Sequence, residues 1–229
     1  MKLLASDFDK TLFDQNYILN INAVNRFVDK GNMFIIATGR HLPRLLHDIK
    51  GYTIKYSYLV CNDGGVIYDN KLNCIYKASI SNETTNNIID YIKTKLNNTI
   101  SDWFVDTTKV YTKDLKNDIS AIILLFINKE KAEILLQDIL KKFSDVDGYI
   151  SDFHINLRPK GTSKANAINL IIKKEQIKKE NVYTVGDHIN DIEMIKEFNG
   201  YCMSISTEEL KKVCKNQVNT VYELVDKIK

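Results

Sequence analysis

Leu3-Leu4-Ala5-Ser6-Asp7-Phe8-Asp9-Lys10-Thr11-Leu12 is the stretch whose reading decides the fold. Lys2 to Phe8 is a short apolar run and reads as a buried strand, with two carboxylates at its end. Residues i and i+2 of a strand face the same way, so Asp7 and Asp9 can address one locus. Crowded carboxylates repel, and a compensating cation follows; magnesium, which prefers oxygen ligands and phosphate partners, fits. One carboxylate could attack phosphorus while the other handles protons. Alone, the pair reads more readily as two ordinary turn aspartates.

Downstream, strands and helices alternate. Asn20 to Lys30 reads as a helix, with Ile21, Val24, Phe27 and Val28 on one face and Gly31 stopping it. Met33 to Ala37 is a second strand, Leu42 to Ile49 a helix that tolerates Pro43 in its first turn, and Tyr58 to Cys61 a third strand. This order predicts a parallel sheet with right-handed crossovers. After Cys61 the pattern changes. Asn62-Asp63-Gly64-Gly65 is a turn cluster, Val66 to Tyr68 and Cys74 to Tyr76 a hairpin, and Ser81 to about Leu96 a helix. Short strands follow near Trp103 to Val105 and Lys109 to Thr112, then strand Ile119 to Ile127, helix Lys129 to Lys142 and strand Gly148 to His154. From Gly161 the first pattern returns: helix Ser163 to Lys174, strand Val182 to Val185, helix Asn190 to Phe198, strand Tyr201 to Ile205, helix Thr207 to Lys215 and a helical tail, Thr220 to Lys229. The expected organisation is an α/β domain over residues 1–78 and 157–229, interrupted by an α+β insertion over residues 79–156 with an antiparallel sheet.

Three further segments lie at strand ends or a helix start, where ligands bind in open parallel sheets. Thr38-Gly39-Arg40 ends the second strand; a hydroxyl and backbone amides there can hold phosphate oxygens, and Gly39 permits close approach. Lys164, in the first turn of its helix, adds positive potential where an anion is favoured, with Lys160 a nearby competitor. Gly186-Asp187-His188-Ile189-Asn190-Asp191 places two more carboxylates and an amide on a loop that opens a helix. Each of these also reads, by itself, as a turn, a cap or a solvated lysine.

Composition narrows the class of function. The 229 residues are 44% hydrophobic and 27% charged, which suits a soluble globular chain. A net charge of +3 does not call for nucleic acid. Cys61, Cys74, Cys202 and Cys214 lack CxxC spacing and read as reduced thiols rather than a zinc site. The first residues turn acidic too soon for a signal peptide, and the longest apolar run, Ala121 to Ile127, fits a buried strand. A cytoplasmic location and no membrane partner are expected.

Taken together, the four segments resemble the motifs of the haloacid dehalogenase superfamily. Asp7 to Leu12 is similar to motif I, usually DxDGTL; Thr38-Gly39-Arg40 to motif II; Lys164 to motif III; and Gly186 to Asp191 to motif IV, GDxxND. Asn62-Asp63-Gly64-Gly65 with Val66 to Asp69 resembles the NGA-type turn of the Cof-like branch, and the insertion resembles that branch's type-2 (C2B) cap. Lys10 stands where motif I usually has glycine, and Ser206-Thr207-Glu208-Glu209 departs from the branch's Asn-Ala pattern, which bears on substrate preference.

The resemblance implies a Rossmann-like parallel-sheet core and a magnesium-dependent phosphatase acting on a small phosphorylated metabolite such as a sugar phosphate. It implies that Asp7 attacks phosphorus and that Asp9 donates and then takes a proton. Asp7, the backbone carbonyl of Asp9, and Asp187 would hold Mg2+, while Thr38, the Gly39 amide, Lys164 and Asn190 would hold phosphoryl oxygens. Asp191 would orient Lys164 or a metal-bound water. Arg40, Trp103 and His154 are candidates for reading the leaving group, with the aromatic faces of the insertion suited to stacking. A monomer or weak homodimer that binds no nucleic acid is expected. The alternatives are a phosphotransferase or phosphomutase using the same aspartyl phosphate, and a non-catalytic regulatory protein that keeps the fold.

Overall fold

A computed structural model describes residues 1–96, 98–115 and 118–228. The chain divides into two compact units. Met1–Arg40, Leu45–Tyr76 and Ser163–Lys229 form the first; His41–Arg44 and Lys77–Thr162 form the second.

The first unit is a mixed α/β fold built on an eight-stranded sheet. Its elements are β1 (Leu3–Asp7), α1 (Tyr17–Asp29), β2 (Met33–Ala37), α2 (Leu42–Asp48), β3 (Tyr58–Cys61), β4 (Val66–Asp69) and β5 (Cys74–Lys77). After the insertion come α5 (Lys164–Lys174), β11 (Val182–Gly186), α6 (Ile192–Glu197), β12 (Asn199–Met203), α7 (Glu208–Val213), β13 (Asn216–Val218) and α8 (Val221–Lys227). The sheet order is β13-β12-β11-β1-β2-β3-β4-β5, parallel from β13 to β3 and antiparallel between β3 and β4. The parallel strands read as continuous apolar runs because both faces are covered. Leu3, Ala5, Ile35, Ala37 and Val60 pack against Ala167, Ile168 and Ile171 of α5 and Met194 and Ile195 of α6. Strand order reverses between β1 and β11, so the carboxyl ends of these neighbours diverge into a crevice at the switch point.

The second unit carries α3 (Asn82–Lys93), β6 (Ile100–Thr107), β7 (Tyr111–Thr112), β8 (Ile119–Phe126), α4 (Lys129–Lys142), β9 (Val146–Ser151) and β10 (His154–Pro159). Its five strands run β7-β6-β8-β10-β9, every recorded pair antiparallel. Alternate residues of β8, Ile122 and Leu124, face Ile88, Ile92, Leu135 and Ile139 of the two helices. The helix ends are specified locally: Ser81 and Asn128 accept the Thr84 and Lys131 amides at N-termini.

Several expected elements are corrected. Gly148 to His154 is not one strand but the meeting of β9 and β10, because Asp152 takes φ 46° and reverses the chain. A turn made by Asp152 and an exposed Phe153, without glycine, hides the hairpin. The strand expected at Tyr201 to Ile205 starts earlier, at Asn199, and polar β13 went unpredicted. The helix expected from Asn190 opens with a 3-10 turn, Ile189–Asp191, before α6. The first helix begins at Tyr17, whose buried ring extends its apolar face. The expected C-terminal helix reaches Lys229, which lies outside the described residues. All four cysteines are free.

Candidate active site

β1 delivers Asp7 at its last position, and the chain turns back at once. Lys10 adopts φ 57°, Lys10 N donates to the Phe13 carbonyl (3.1 Å) and Leu12 N to the Asp7 carbonyl (3.2 Å). The tight reversal puts the Thr11 hydroxyl within 3.0 Å of Asp187 Oδ1, at the end of β11. Lys164 opens α5 after the Ser163 cap and has no exposed surface. Its ammonium donates to Asp7 Oδ1 at 2.6 Å and to Asp191 Oδ1 at 2.7 Å. The other Asp191 oxygen accepts the Asp187 and His188 amides, each at 3.0 Å. Asp191 thus ties the lysine to the loop that carries Asp187. Gly186 makes the loop possible: a Cβ there would lie 2.4 Å from Asp191 Cγ.

Asp7, Asp187 and Asp191 each offer an oxygen within 4.8 Å of the others, and all three are buried. Burial, reinforced by the Asp191 and Asp187 charges, pushes the Asp7 carboxyl well above the usual range, with Lys164 opposing. Asp187 is raised by burial and by Asp191, against the Thr11 hydroxyl. Burial acts to lower Lys164, but the Asp191 and Asp7 charges outweigh it, so the lysine is held protonated. Three carboxylates against one ammonium leave an excess of two negative charges among groups cut off from water. An oxygen-only donor set with that excess fits a hard divalent cation such as magnesium.

β2 brings Thr38, and the Asn62-Asp63-Gly64 turn buttresses it. Asp63 N donates to the Thr38 carbonyl at 3.1 Å and Asn62 N to the Arg40 carbonyl at 3.0 Å. Asn62, Asp63 and Gly64 are all left-handed, at φ 50°, 53° and 95°. Gly64 is required by contact as well, since a Cβ would stand 2.1 Å from the Ser163 carbonyl oxygen. The Asp63 carboxylate is 3.2 Å from where a Gly39 Cβ would lie, and it accepts from Asn190 Nδ2 at 2.8 Å.

The first unit therefore brings Asp7, Asp187, Asp191 and Lys164 together, with Thr38 and Gly39 joined to Asn190 through Asp63. Asp9 is half-exposed and paired with Arg40. Arg40 itself pairs with Asp9 and Asp48. Trp103 and His154 belong to the second unit. There Trp103 packs partly against the helix-covered core under the Lys113 ammonium, and His154 sits opposite Leu125 and Ser151. Lys160 is exposed and pairs with Asp147 in the same unit. Sequence reasoning missed Asp63 and Thr11 as partners of site residues. Both lie inside quoted motifs, but their pairings join positions 127 and 176 residues apart, which spacing cannot reveal.

A family model for haloacid dehalogenase-like hydrolases matches residues 4–117 and 97–224. The 5-amino-6-(5-phospho-D-ribitylamino)uracil phosphatase of Bacillus subtilis is 26% identical, the match covering 86% of this chain and 81% of that one. The phosphoglycolate phosphatase of Picrophilus torridus is 24% identical over 85% of this chain and 75% of that one. A solved haloacid dehalogenase-like hydrolase from B. subtilis shares the fold with a TM-score of 0.86, at 18% identity, covering 100% of this chain and 99% of that one. The chain belongs to the haloacid dehalogenase-like hydrolases. Within them it is an enzyme of the Cof-like, phosphatase-bearing kind, a phosphoric monoester hydrolase in general class.

Proposed function

We propose that this protein hydrolyses a small phosphomonoester with Asp7 as covalent nucleophile and magnesium as cofactor. The observation that carries the reading is the buried set of Asp7, Asp187 and Asp191 around the Lys164 ammonium, at the ends of β1 and β11. Asp7 attacks phosphorus in line and the ester oxygen departs, leaving an aspartyl phosphate. Asp9 protonates that oxygen, then takes a proton from the water that cleaves the acyl phosphate. Lys164, Thr38, the Gly39 amide and Asn190 hold phosphoryl oxygens, and Asp191 keeps Lys164 in place. Asp7, the Asp9 backbone carbonyl and Asp187 would hold magnesium, which when bound offsets negative charge on the phosphoryl group. Phosphoryl transfer needs mainly positioning and charge stabilisation, and these residues supply both.

The two phosphatases named above act, by their names, on small phosphate esters, which supports a small phosphorylated metabolite as substrate. Among the described residues no helix is long and apolar enough to cross a membrane, in keeping with work on a dissolved metabolite in the cytoplasm. We assign selectivity among esters to the second unit, with Trp103 and His154 as its candidates.

The test is a phosphate-release screen over sugar phosphates, pyridoxal phosphate, phosphoglycolate and nucleotides, with magnesium or with EDTA. Turnover is expected with magnesium alone, and Asp7→Asn should lower it by about a thousandfold or more, about 4 kcal/mol in barrier. Asp7→Asn activity within tenfold of wild type would rule Asp7 out as nucleophile.

A further inference from the structure

The Asp9 carboxylate is absent from the converging set of Asp7, Asp187 and Asp191. It is held elsewhere. Arg40 Nε donates to Asp9 Oδ2 at 2.8 Å, and Arg40 Nη2 pairs with Oδ1, so both carboxylate oxygens meet one guanidinium. Arg40 is braced in turn. Its Nη1 pairs with Asp48 on α2, and its plane lies 5.1 Å from the Phe8 ring centroid. Its backbone is fixed too: its amide donates to Thr38 Oγ1 at 3.2 Å and its carbonyl accepts from Asn62.

A carboxylate two residues from Asp7, beside a cluster that suits a divalent cation, is itself drawn toward that cation. Bound there, its lone pairs would be committed and it could not carry a proton. A planar guanidinium competes for both oxygens at once and fixes the carboxylate plane, which a lysine ammonium does not do. Resting on the reading of Asp7 as nucleophile and Asp9 as proton carrier, we propose that Arg40, braced by Asp48, is a positioning residue that keeps Asp9 out of the cation's ligand set and set for proton transfer.

The test uses the full chain with two esters and, separately, magnesium alone. An aryl ester such as p-nitrophenyl phosphate releases a stable anion and needs little protonation. An alkyl phosphate needs its oxygen protonated as it leaves, help worth roughly a hundredfold or more. For Arg40→Lys, the loss of kcat/KM on the alkyl ester should exceed the loss on the aryl ester by at least about tenfold. Asp48→Asn should show the same bias more weakly, and Arg40→Lys added to Asp9→Asn should cost little more. Calorimetric titration with magnesium should show tighter binding to Arg40→Lys than to wild type, and no tightening when Asp9→Asn is also present. Equal losses on both esters with unchanged magnesium affinity in a folded Arg40→Lys protein would overturn the proposal and leave Asp7 untouched as nucleophile. Retained turnover by Asp7→Asn would remove instead the reading on which the proposal rests.

Discussion

At the residue scale, Lys164 carries the most unusual burden. A lysine with no exposed surface is tolerated only when its charge is answered, and here Asp7 and Asp191 answer it at hydrogen-bond distance. Asp191 is the structural half of that arrangement, since its second oxygen serves two loop amides. Asp191→Ala leaves a buried ammonium half-answered and two amides without their acceptor. The expected cost is about 3 kcal/mol or more, read as a lowered denaturant midpoint with unchanged slope. A loss under about 1 kcal/mol would mean that Lys164 turns to another partner. The motif residues were legible in the sequence because each sits at the end of an apolar run. The pairings were not. Nothing in the spacing of Arg40, Asp9 and Asp48 says that one guanidinium spans both carboxylates, or that Asp63 receives Asn190.

At the scale of elements, the site depends on where turns release the chain. The Asn62-Asp63-Gly64 turn meets the start of α5 so closely that Gly64 has no room for a side chain, and its φ of 95° excludes one as well. Gly64→Ala must push against the Ser163 carbonyl, the cap residue next to Lys164. About 2 kcal/mol or more of stability should be lost, and turnover should fall further than stability explains, because Lys164 moves with its helix. Thermal melts and kinetics on one preparation separate the two effects. The sequence showed the parallel strands and the long helices plainly, since a buried strand is a continuous apolar run and α4 carries a clear stripe. It hid β10 because the reversing residue is an aspartate followed by an exposed phenylalanine. It hid β13 because that strand, Asn-Gln-Val, is mostly polar and exposed at the sheet edge.

At the scale of the whole molecule, the buried carboxylates couple folding to the cation. Without metal, Asp7 and Asp187 have folded pKa values raised above their unfolded ones. Their contribution to stability is then complete below the ordinary carboxylate range and is lost as pH rises through the raised values. With saturating magnesium the sign reverses, because the cation requires ionised ligands and is released as they protonate. In EDTA the melting temperature should therefore rise as pH falls from neutrality toward the ordinary carboxylate range, and the magnesium-induced increment should shrink over the same interval. A magnesium increment independent of pH would place the cation on other ligands. Family membership supplies the hydrolase class for the chain; the covalent route through Asp7 is the central claim. It is tested most directly by quenching the enzyme in acid during turnover, reducing the acyl phosphate with borohydride, and mapping the peptides by mass spectrometry. The account predicts that the aspartate at position 7 is reduced to homoserine, only in samples given both substrate and magnesium. Finding position 7 unmodified in an actively turning-over sample, with reduction at another carboxylate, would contradict it.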